Sequence, residues 1–303
     1  MALVPLSWLY GLGWRAYALI YDLGFKRAFR ADVKVVCVGN LTVGGTGKSP
    51  VTLHIAHVLA ILGYEVVVGC SGYGSPMAKW AQVAPEGPLD AAVWGDEPAM
   101  IRWLAPDLDL IVGRNRVEAA RLAAEKYPGR VLLMDDGLQH LPLAKDLRIL
   151  LDDPVPANPF CLPAGPYREP RSSRLKVDRV VAPSDILAEN EGFWTPNGWV
   201  EQPGACAVVC ALARPQKFAQ SLRERGIRIE VERLLPDHDP MQGGTLFDGI
   251  PADLAIMVTA KDWVKLRLRP DLDGRRILVA RQRVSIAPEA EFVGWLEERM
   301  RQI

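Results

Sequence analysis

The sequence has no excess of charge of either sign, since 36 lysine and arginine residues balance 36 aspartate and glutamate residues. A net charge of zero argues against nucleic acid as the main partner. The chain also lacks any run of about 18 uncharged apolar residues, so no membrane-spanning helix is predicted. Its first residues have neither the basic start nor the small-residue cleavage site of a secretory signal peptide, so none is expected.

Cysteine pairs are equally absent, because the five cysteines include no CxxC spacing. Cys206 and Cys210 lie in an apolar run and are predicted to be buried thiols. A reducing cytosol is therefore the simplest compartment for this protein. The 303 residues, 49% of them apolar, suffice for two domains or one large domain with a sizeable core.

Strand-like and helix-like patterns alternate along the chain. The first series predicts strands at residues 33–38, 65–69, 108–112, 131–134 and 148–151, and helices at 51–62, 98–104 and 116–127. The second series predicts strands at residues 207–211, 227–232, 255–259 and 277–280, and helices at 215–225 and 262–268. Such alternation is typical of βαβ units, so we expect an α/β fold with a mostly parallel sheet flanked by helices, and a second, smaller α/β domain.

A glycine-rich segment, residues 34–50, has the sequence KVVCVGNLTVGGTGKSP. A β-branched strand, a turn of small residues and a helix opened by Lys48 and Ser49 follow one another, which is the order of a phosphate-binding loop. Backbone N–H groups and the helix N-terminus would hold phosphate oxygens, Lys48 would reach the outer phosphates, and Ser49 would bind Mg²⁺. Thr42 stands where the usual pattern has its first glycine. The alternative is an ordinary strand-to-helix turn.

An acidic pair, Asp135 and Asp136, ends the buried strand of the segment RVLLMDDGLQH. Ligands of open α/β sheets bind at the carboxyl ends of the strands, where an acidic residue can hold Mg²⁺. The alternative is a solvated turn, since Asp and Gly favour turns. Near a phosphate-binding loop we favour the metal site, and this pairing predicts a P-loop NTPase-like fold.

The residues alone do not decide the roles of one carboxylate, Asp96, and one imidazole, His238. Asp96, in Gly-Asp-Glu-Pro before a helix, suits a helix cap at least as well as a proton acceptor. His238, between two aspartates in LPDHDPM, suits acid–base chemistry or a plain surface position.

The first 30 residues combine aromatic side chains with a basic cluster. The aromatic residues are Trp8, Tyr10, Trp14, Tyr17 and Tyr21, and the basic ones are Lys26, Arg27 and Arg30. This pattern suits the headgroup region of a bilayer, but an N-terminal helix packed on its own domain would show the same residues. We divide the chain into an amphipathic membrane-associating segment at 1–31, a P-loop core domain at 32–200 and a smaller domain at 201–303.

These segments together resemble a known family. The segments that occur in the order seen in the lipid A 4′-kinases are PLSWLYG, VGNLTVGGTGKSP, GYG, GDEP, GRNRVEAA, DDGLQH, LPAGPYREP, PDH and KDWVK. The resemblance covers nearly the whole chain. It implies a peripheral enzyme on the cytoplasmic face of the bacterial inner membrane, with ATP and Mg²⁺ as cofactors. Such an enzyme transfers the γ-phosphate of ATP to the 4′-hydroxyl of an acylated glucosamine disaccharide 1-phosphate lipid, giving lipid IVA.

The resemblance also assigns roles to residues. Asp96 corresponds to the aspartate that activates the hydroxyl, His238 to the histidine paired with it, and Lys48 to the phosphate-loop lysine. The residues expected to bind the nucleotide are Asn40, Thr42, Val43, Gly44, Gly45, Thr46, Gly47, Lys48 and Ser49. The residues expected at the metal are Ser49, Asp135, Asp136 and Glu97.

The chain departs from the family pattern at three places. Ser71 replaces an arginine before Gly-Tyr-Gly, Ala260 replaces a glutamate in Thr-Glu-Lys-Asp, and Asp239 replaces the second histidine of PDHH.

Two other functions stay in view. One is a P-loop GTPase or metal-insertion chaperone, although the Thr259–Asp262 segment lacks the spacing of a guanine-binding motif. The other is a nucleotide-dependent binding or scaffold protein without catalysis.

Overall fold

The computed structural model of the protein describes residues 3–44 and 47–303. The helices are α1 (Val4–Asp22), α2 (Lys48–Ile61), α3 (Ala91–Trp94), α4 (Asp96–Leu104), α5 (Arg116–Lys126), α6 (Pro215–Glu224), α7 (Ala260–Leu266) and α8 (Glu289–Gln302). The first strands are β1 (Lys34–Asn40), β2 (Val66–Cys70), β3 (Gln82–Val83), β4 (Asp109–Val112), β5 (Val131–Asp135), β6 (Leu147–Leu151) and β7 (Arg179–Val181). The later strands are β8 (Ile186–Thr195), β9 (Gly198–Val200), β10 (Cys206–Ala211), β11 (Ile229–Leu235), β12 (Ala255–Thr259) and β13 (Ile277–Ile286).

The first sheet has seven strands in the order β3-β4-β2-β5-β1-β6-β7. All neighbours are parallel except β3, which runs antiparallel to β4. The central strands are apolar along their length because helices cover both faces, as parallel sheets require. The predicted mostly parallel sheet flanked by helices is therefore confirmed. Its centre, β1 between β5 and β6, brings the glycine-rich loop beside the acidic pair.

Helices cover the two faces of this sheet with different side chains. On one face, residues of α2, α4 and α8 share a core with the strands, and Phe292, Leu296 and Met300 of α8 are fully buried there. On the other face, the buried apolar residues of α5 are small, namely Ala119, Ala120 and Ala123. The helix α8 therefore packs on the first sheet, although it follows the last strand of the second sheet in the chain.

The second sheet has six strands in the order β11-β10-β12-β13-β8-β9. The first four are mutually parallel, and β8 and β9 add antiparallel strands at one side. We predicted no strand between residues 186 and 204, because the middle of β8, Glu189 to Gly192, has no apolar residue, and only Phe193 and Thr195 of β8 are buried. The sheets thus divide after β7, whereas the predicted domain boundary lies at residue 200, and that boundary remains a prediction.

Three helices begin two or three residues earlier in the chain than predicted. Helices predicted to begin at residues 51, 98 and 262 begin at Lys48, Asp96 and Ala260. Gly47 and Gly95 precede two of these helices with φ of 74° and 91°, a left-handed backbone that glycine adopts without strain. The sharper turns bring the first residues of α2 and α4 to the carboxyl edge of the sheet. Cys206 and Cys210 are buried free thiols, as predicted.

The N-terminal helix α1 packs on the protein through one narrow stripe. Ser7 and Gly11 are buried, the Tyr10 hydroxyl donates to the carbonyl of Arg168 (2.8 Å), and Trp14 Nε1 donates to Glu169 (3.1 Å). The opposite face leaves large apolar side chains exposed, namely Trp8, Leu9, Leu12, Leu19 and Leu23. None of the helices in the described ranges is long and apolar enough to cross a bilayer.

Candidate active site

The glycine-rich loop links the central strand β1 to α2. Gly44 and Gly47 have φ of 95° and 74°, and α2 then begins with Lys48 and the buried Ser49. This strand–loop–helix arrangement confirms the local order expected of a phosphate-binding loop. Gly45 and Thr46, which we also expect to bind nucleotide, lie outside the described residues.

Ser49 and Asp135 are in direct contact at the edge of the sheet. Ser49 Oγ donates to Oδ2 of Asp135 (2.7 Å), and Thr52 Oγ1 donates to Oδ1 (3.1 Å). Burial of Asp135 and the nearby Glu97 carboxylate raise the pKa of Asp135 to about 6, against the hydrogen bond from Ser49. The raised pKa means that the ionised form of this carboxyl is disfavoured here, and a bound cation would stabilise it.

Asp136 is held by two cations. Lys48 Nζ lies 3.6 Å from its Oδ2, and the Arg168 guanidinium donates to both carboxylate oxygens at 2.9 and 3.1 Å. Its backbone has a positive φ of 57°, unusual for a residue other than glycine. Burial alone would raise the pKa of Asp136, but Arg168 and Lys48 outweigh it and lower the pKa. The adjacent carboxyls thus have opposite shifts.

Asn40 and the proline-rich loop fix the geometry around the phosphate-binding loop. Asn40 Nδ2 donates to the carbonyl and hydroxyl of Thr42 (2.9 and 3.1 Å), while Arg168 donates to the carbonyl and Oδ1 of Asn40 (2.8 and 2.6 Å). The N–H of Val43 donates to the carbonyl of Pro166 (2.8 Å). Asn40, Thr42 and Val43 therefore shape the loop through contacts within the protein.

Sequence reasoning did not place Arg168 among the site residues. It lies in the proline-rich loop, far along the chain from Asn40 and Asp136, and local patterns do not reveal such a contact. The available signal was its residue type, since a guanidinium suits bidentate contact with a carboxylate or phosphate. Arg116 is a second buried cation here and donates to the carbonyl of Asp136 (2.7 Å).

The structure brings Asp96 and His238 together across the two sheets. His238 Nδ1 lies 3.5 Å from Oδ2 of Asp96. His238 has a positive φ of 62° in the loop after β11, and the ring of Tyr73 packs 5.7 Å from its imidazole. Asp96 is the first residue of α4, and Gly95 occupies the cap position with no side-chain capping bond. The capping alternative for Asp96 is therefore not what the structure contains.

Two lysines of α7 face this pair. Lys265 Nζ lies 3.5 Å from Oδ2 of Asp96, and Lys261 Nζ lies 3.3 Å from Oδ1 of Asp237. Asp237 Oδ2 in turn lies 3.8 Å from His238 Nε2. The two lysines are four residues apart, so they lie on the same face of α7. Alternating positive and negative groups thus surround the Asp96–His238 pair.

Glu97 connects this group with the phosphate-binding loop. Burial raises the pKa of Glu97, the charges of Lys48 and Lys261 oppose that rise, and the carboxylates of Asp136 and Asp96 add to it. Because these charges come from both groups of residues, Glu97 lies between them. The predicted catalytic and metal-binding residues within the described chain therefore converge on one region.

The candidate metal ligands are all oxygen donors. They comprise the hydroxyl of Ser49 and the carboxyls of Asp135, Asp136 and Glu97. Mg²⁺ prefers oxygen ligands and usually takes one or two carboxylates together with phosphate oxygens and water. The raised pKa values of Asp135 and Glu97 also favour a cation at this place. Within residues 3–44 and 47–303, no group of three or more His, Cys, Asp or Glu side chains is arranged to hold a metal.

A crystal structure of LpxK from Aquifex aeolicus in complex with ATP has the same fold as this protein. The two match with a TM-score of 0.83 over 98% of each chain, at 24% sequence identity. This match supports the predicted P-loop α/β fold over nearly the entire chain.

Curated relatives are similar in sequence over more than nine tenths of their own length. Tetraacyldisaccharide 4′-kinase of Pelobacter propionicus is 34% identical over 99% of this chain and 92% of its own. The proteins of the same name from Chromobacterium violaceum and Bordetella parapertussis are each 33% identical, over 99% and 98% of this chain and 93% and 91% of their own. The family model for LpxK, described as tetraacyldisaccharide-1-P 4′-kinase, matches residues 1–301. The chain therefore belongs to the tetraacyldisaccharide-1-phosphate 4′-kinase family.

Proposed function

We propose that this protein transfers the γ-phosphate of ATP to the 4′-hydroxyl of a tetraacyldisaccharide 1-phosphate lipid, forming lipid IVA. The observation that supports this most directly is the contact between His238 Nδ1 and Asp96 Oδ2 beside the phosphate-binding loop. A carboxylate and an imidazole in that position suit a proton acceptor for an attacking hydroxyl. Family membership supports the same reaction.

The residues divide the reaction among them. Asp96 accepts the proton of the 4′-hydroxyl, and His238 stabilises the carboxylate in the orientation needed. Lys48 and Arg168 offset negative charge on the transferred phosphoryl group. Little covalent chemistry is needed from the protein, because phosphoryl transfer depends mainly on positioning and on charge stabilisation.

We propose that Mg²⁺ would bind here through oxygen ligands drawn from Ser49, Asp135, Asp136 and Glu97, with phosphate oxygens and water completing its coordination. When bound, the ion neutralises charge on the phosphate oxygens. The Ser49–Asp135 hydrogen bond of 2.7 Å orients both ligands toward one place. Lys48 and Arg168 contact the carboxylate of Asp136 and keep it ionised, so it would add negative charge at this place.

We propose that α1 attaches the enzyme to the cytoplasmic face of the bacterial inner membrane as a peripheral protein. Its exposed side chains Trp8, Leu9 and Leu12 form an apolar face, and Lys26 and Arg27 follow the helix. Apolar area together with basic residues favours binding at an anionic lipid surface. The buried side of α1 contacts Arg168 and Glu169, so the membrane-facing helix adjoins the site.

One experiment tests the reaction. The protein is incubated with ATP, Mg²⁺ and the disaccharide 1-phosphate lipid, and the lipid is analysed by mass for a single added phosphate. Phosphate addition that depends on ATP and is much slower with GTP supports the kinase and excludes the GTPase alternative. ATP binding by calorimetry without phosphate addition to any such lipid would instead indicate a nucleotide-dependent binding or scaffold protein.

A further inference from the structure

Lys265 is a buried lysine at the end of the family segment KDWVK, and that pattern alone predicts no role for it at the site. Only 2% of its side chain is exposed. An ammonium group has three N–H donors, and three acceptors surround this one. The Asp239 carbonyl oxygen accepts a 2.9 Å hydrogen bond, and Oδ2 of Asp96 and Oδ1 of Asp262 lie at 3.5 and 3.9 Å. A buried charge is stable only with such partners.

The partners of Lys265 belong to different parts of the fold. Asp96 begins α4, which packs on the first sheet, whereas Asp239 follows His238 in the loop after β11. One ammonium group therefore holds the carboxylate of the proton acceptor and the backbone next to its histidine. A displacement of either would break a contact with Lys265.

Lys265 is itself held in place by its own half of the protein. Asp262 is fully buried, accepts the N–H of Ala211 (2.9 Å) and accepts the hydroxyl of Thr259 (2.6 Å). Asp262 thus joins the end of β10 to the first turn of α7. Lys265 follows one turn later on that short helix, so the backbone that carries its ammonium group is held in place.

Lys265 and His238 both approach Asp96 at its Oδ2 atom, each at 3.5 Å. The two residues come from different segments, α7 and the loop after β11. Together they restrict the rotation of the carboxylate that would accept the proton.

We propose that Lys265 is a positioning residue for phosphoryl transfer, which orients Asp96 and aligns it with His238 across the two sheets. This inference rests on the proposed kinase function. Because a misplacement of about 1 Å can cost about 10²-fold in rate, loss of Lys265 should act mainly on kcat. The KM for ATP should change little, since Lys265 contacts neither Lys48 nor Ser49.

The test measures kcat and KM for ATP in wild type, Lys265→Met and the matched control Arg269→Met. Arg269 is also buried and holds the same loop through the carbonyls of Met241 and Gly243, but its ion pair is with Asp271. We expect Lys265→Met to lose about 10- to 100-fold in kcat at an unchanged KM for ATP. Arg269→Met should lower the melting temperature while kcat per folded enzyme stays near wild type.

A second comparison separates positioning from stability. If Lys265 acts through the Asp96–His238 pair, adding Lys265→Met to His238→Ala should cost little beyond the larger single loss, since residues acting as a unit are non-additive. Fully multiplicative losses, or a near-normal kcat in folded Lys265→Met, overturn the inference. If the Met variant does not fold, Lys265→Gln gives the same readout. Absence of transfer by the wild type overturns the proposed function itself, whereas normal wild-type transfer with an unaffected Lys265 variant overturns this inference alone.

Discussion

Ser49 and Asp135 are joined by a 2.7 Å hydrogen bond although 86 residues separate them in the chain. The bond connects the first turn of α2 to the end of β5. It forms because β1, which leads into α2, lies next to β5 in the sheet. The phosphate-binding loop and the acidic pair thus meet through sheet order rather than through sequence proximity.

Asp135→Asn should raise the Mg²⁺ concentration needed for half-maximal turnover by about tenfold or more, because the variant loses a charged oxygen ligand or its support. Asp136→Asn should do the same and also release Lys48 and Arg168. The measurement is turnover as a function of Mg²⁺ concentration. Asp109→Asn is the control, since Asp109 begins β4 at the opposite edge of the sheet. Unchanged Mg²⁺ dependence in both variants would mean that the pair is only a turn.

Lys48→Ala should reduce turnover by about 10²-fold or more, because it removes a charge placed to stabilise the transferred phosphoryl group. The fold should persist, since Arg168 still neutralises Asp136. Turnover and melting temperature are measured beside Lys126→Ala, a variant of an exposed lysine at the end of α5. Near-normal turnover in folded Lys48→Ala would refute the assignment of the phosphate-binding loop.

Asp96→Ala and His238→Ala should each reduce turnover severely, and the double variant should be barely worse than the poorer single one. ATP binding should survive in all three, because neither residue belongs to the phosphate-binding loop. Asp96→Asn should also be inactive, because an amide does not accept a proton as a carboxylate does. Asp96 has no capping role that Asn could preserve, since Gly95 occupies the helix cap. Turnover and calorimetric ATP binding are measured across the cycle. An active Asp96→Asn, or losses that multiply, would contradict a paired role.

Replacing Trp8, Leu9 and Leu12 of α1 by serine should shift the protein from lipid vesicles to solution by on the order of tenfold or more. Each large apolar side chain contributes roughly 1.5–3 kcal/mol when fully buried. The packed stripe of Ser7, Gly11 and Trp14 stays intact, unlike in a deletion of α1. Trp80→Ser with Leu268→Ser is the control, because both side chains are 65% exposed elsewhere on the surface. Equal vesicle flotation of the two variants would argue against a membrane face on α1.

His140 should make the protein less stable as the pH falls from about 6.5 toward 4. Burial and the charges of Lys145 and Arg116 lower the pKa of His140 from 6.5 to about 4. The folded protein therefore binds fewer protons than the unfolded chain in this window, so the free energy of unfolding decreases as the pH drops. Melting temperatures of His140→Phe should fall less steeply over this window. The exposed His57→Gln serves as control, and an unchanged slope in His140→Phe would disprove the assignment.

Much of the fold was predictable because its signals are local. Short periodic segments predict the β-branched strands of both sheets, the glycine-rich loop and the helices after it. The β8 and β9 strands were missed because a polar stretch, Glu189 to Gly192, interrupts β8, and an antiparallel strand with one open face need not show an apolar run.

The candidate site was only partly predictable for a related reason. Lys48, Ser49, Asp135 and Asp136 lie in motifs that announce their chemistry. Arg168 and Lys265 lie in the family segments LPAGPYREP and KDWVK, but those segments do not reveal a role for either residue. The bonds from Arg168 to Asn40 and from Lys265 to the Asp239 carbonyl exist only after distant segments fold together.

Pairing between β8 and β13 places Ile186 opposite Ile286, so the second sheet begins and ends at neighbouring points. Because α8 then returns to the first sheet, the segment between these residues is an insertion within a single nucleotide-binding unit. That unit holds the phosphate-binding loop, the acidic pair and Asp96. The insertion contributes His238 and Lys265. The protein thus combines one module that handles phosphate with a second, separately bounded module that supplies the partners of its proton acceptor.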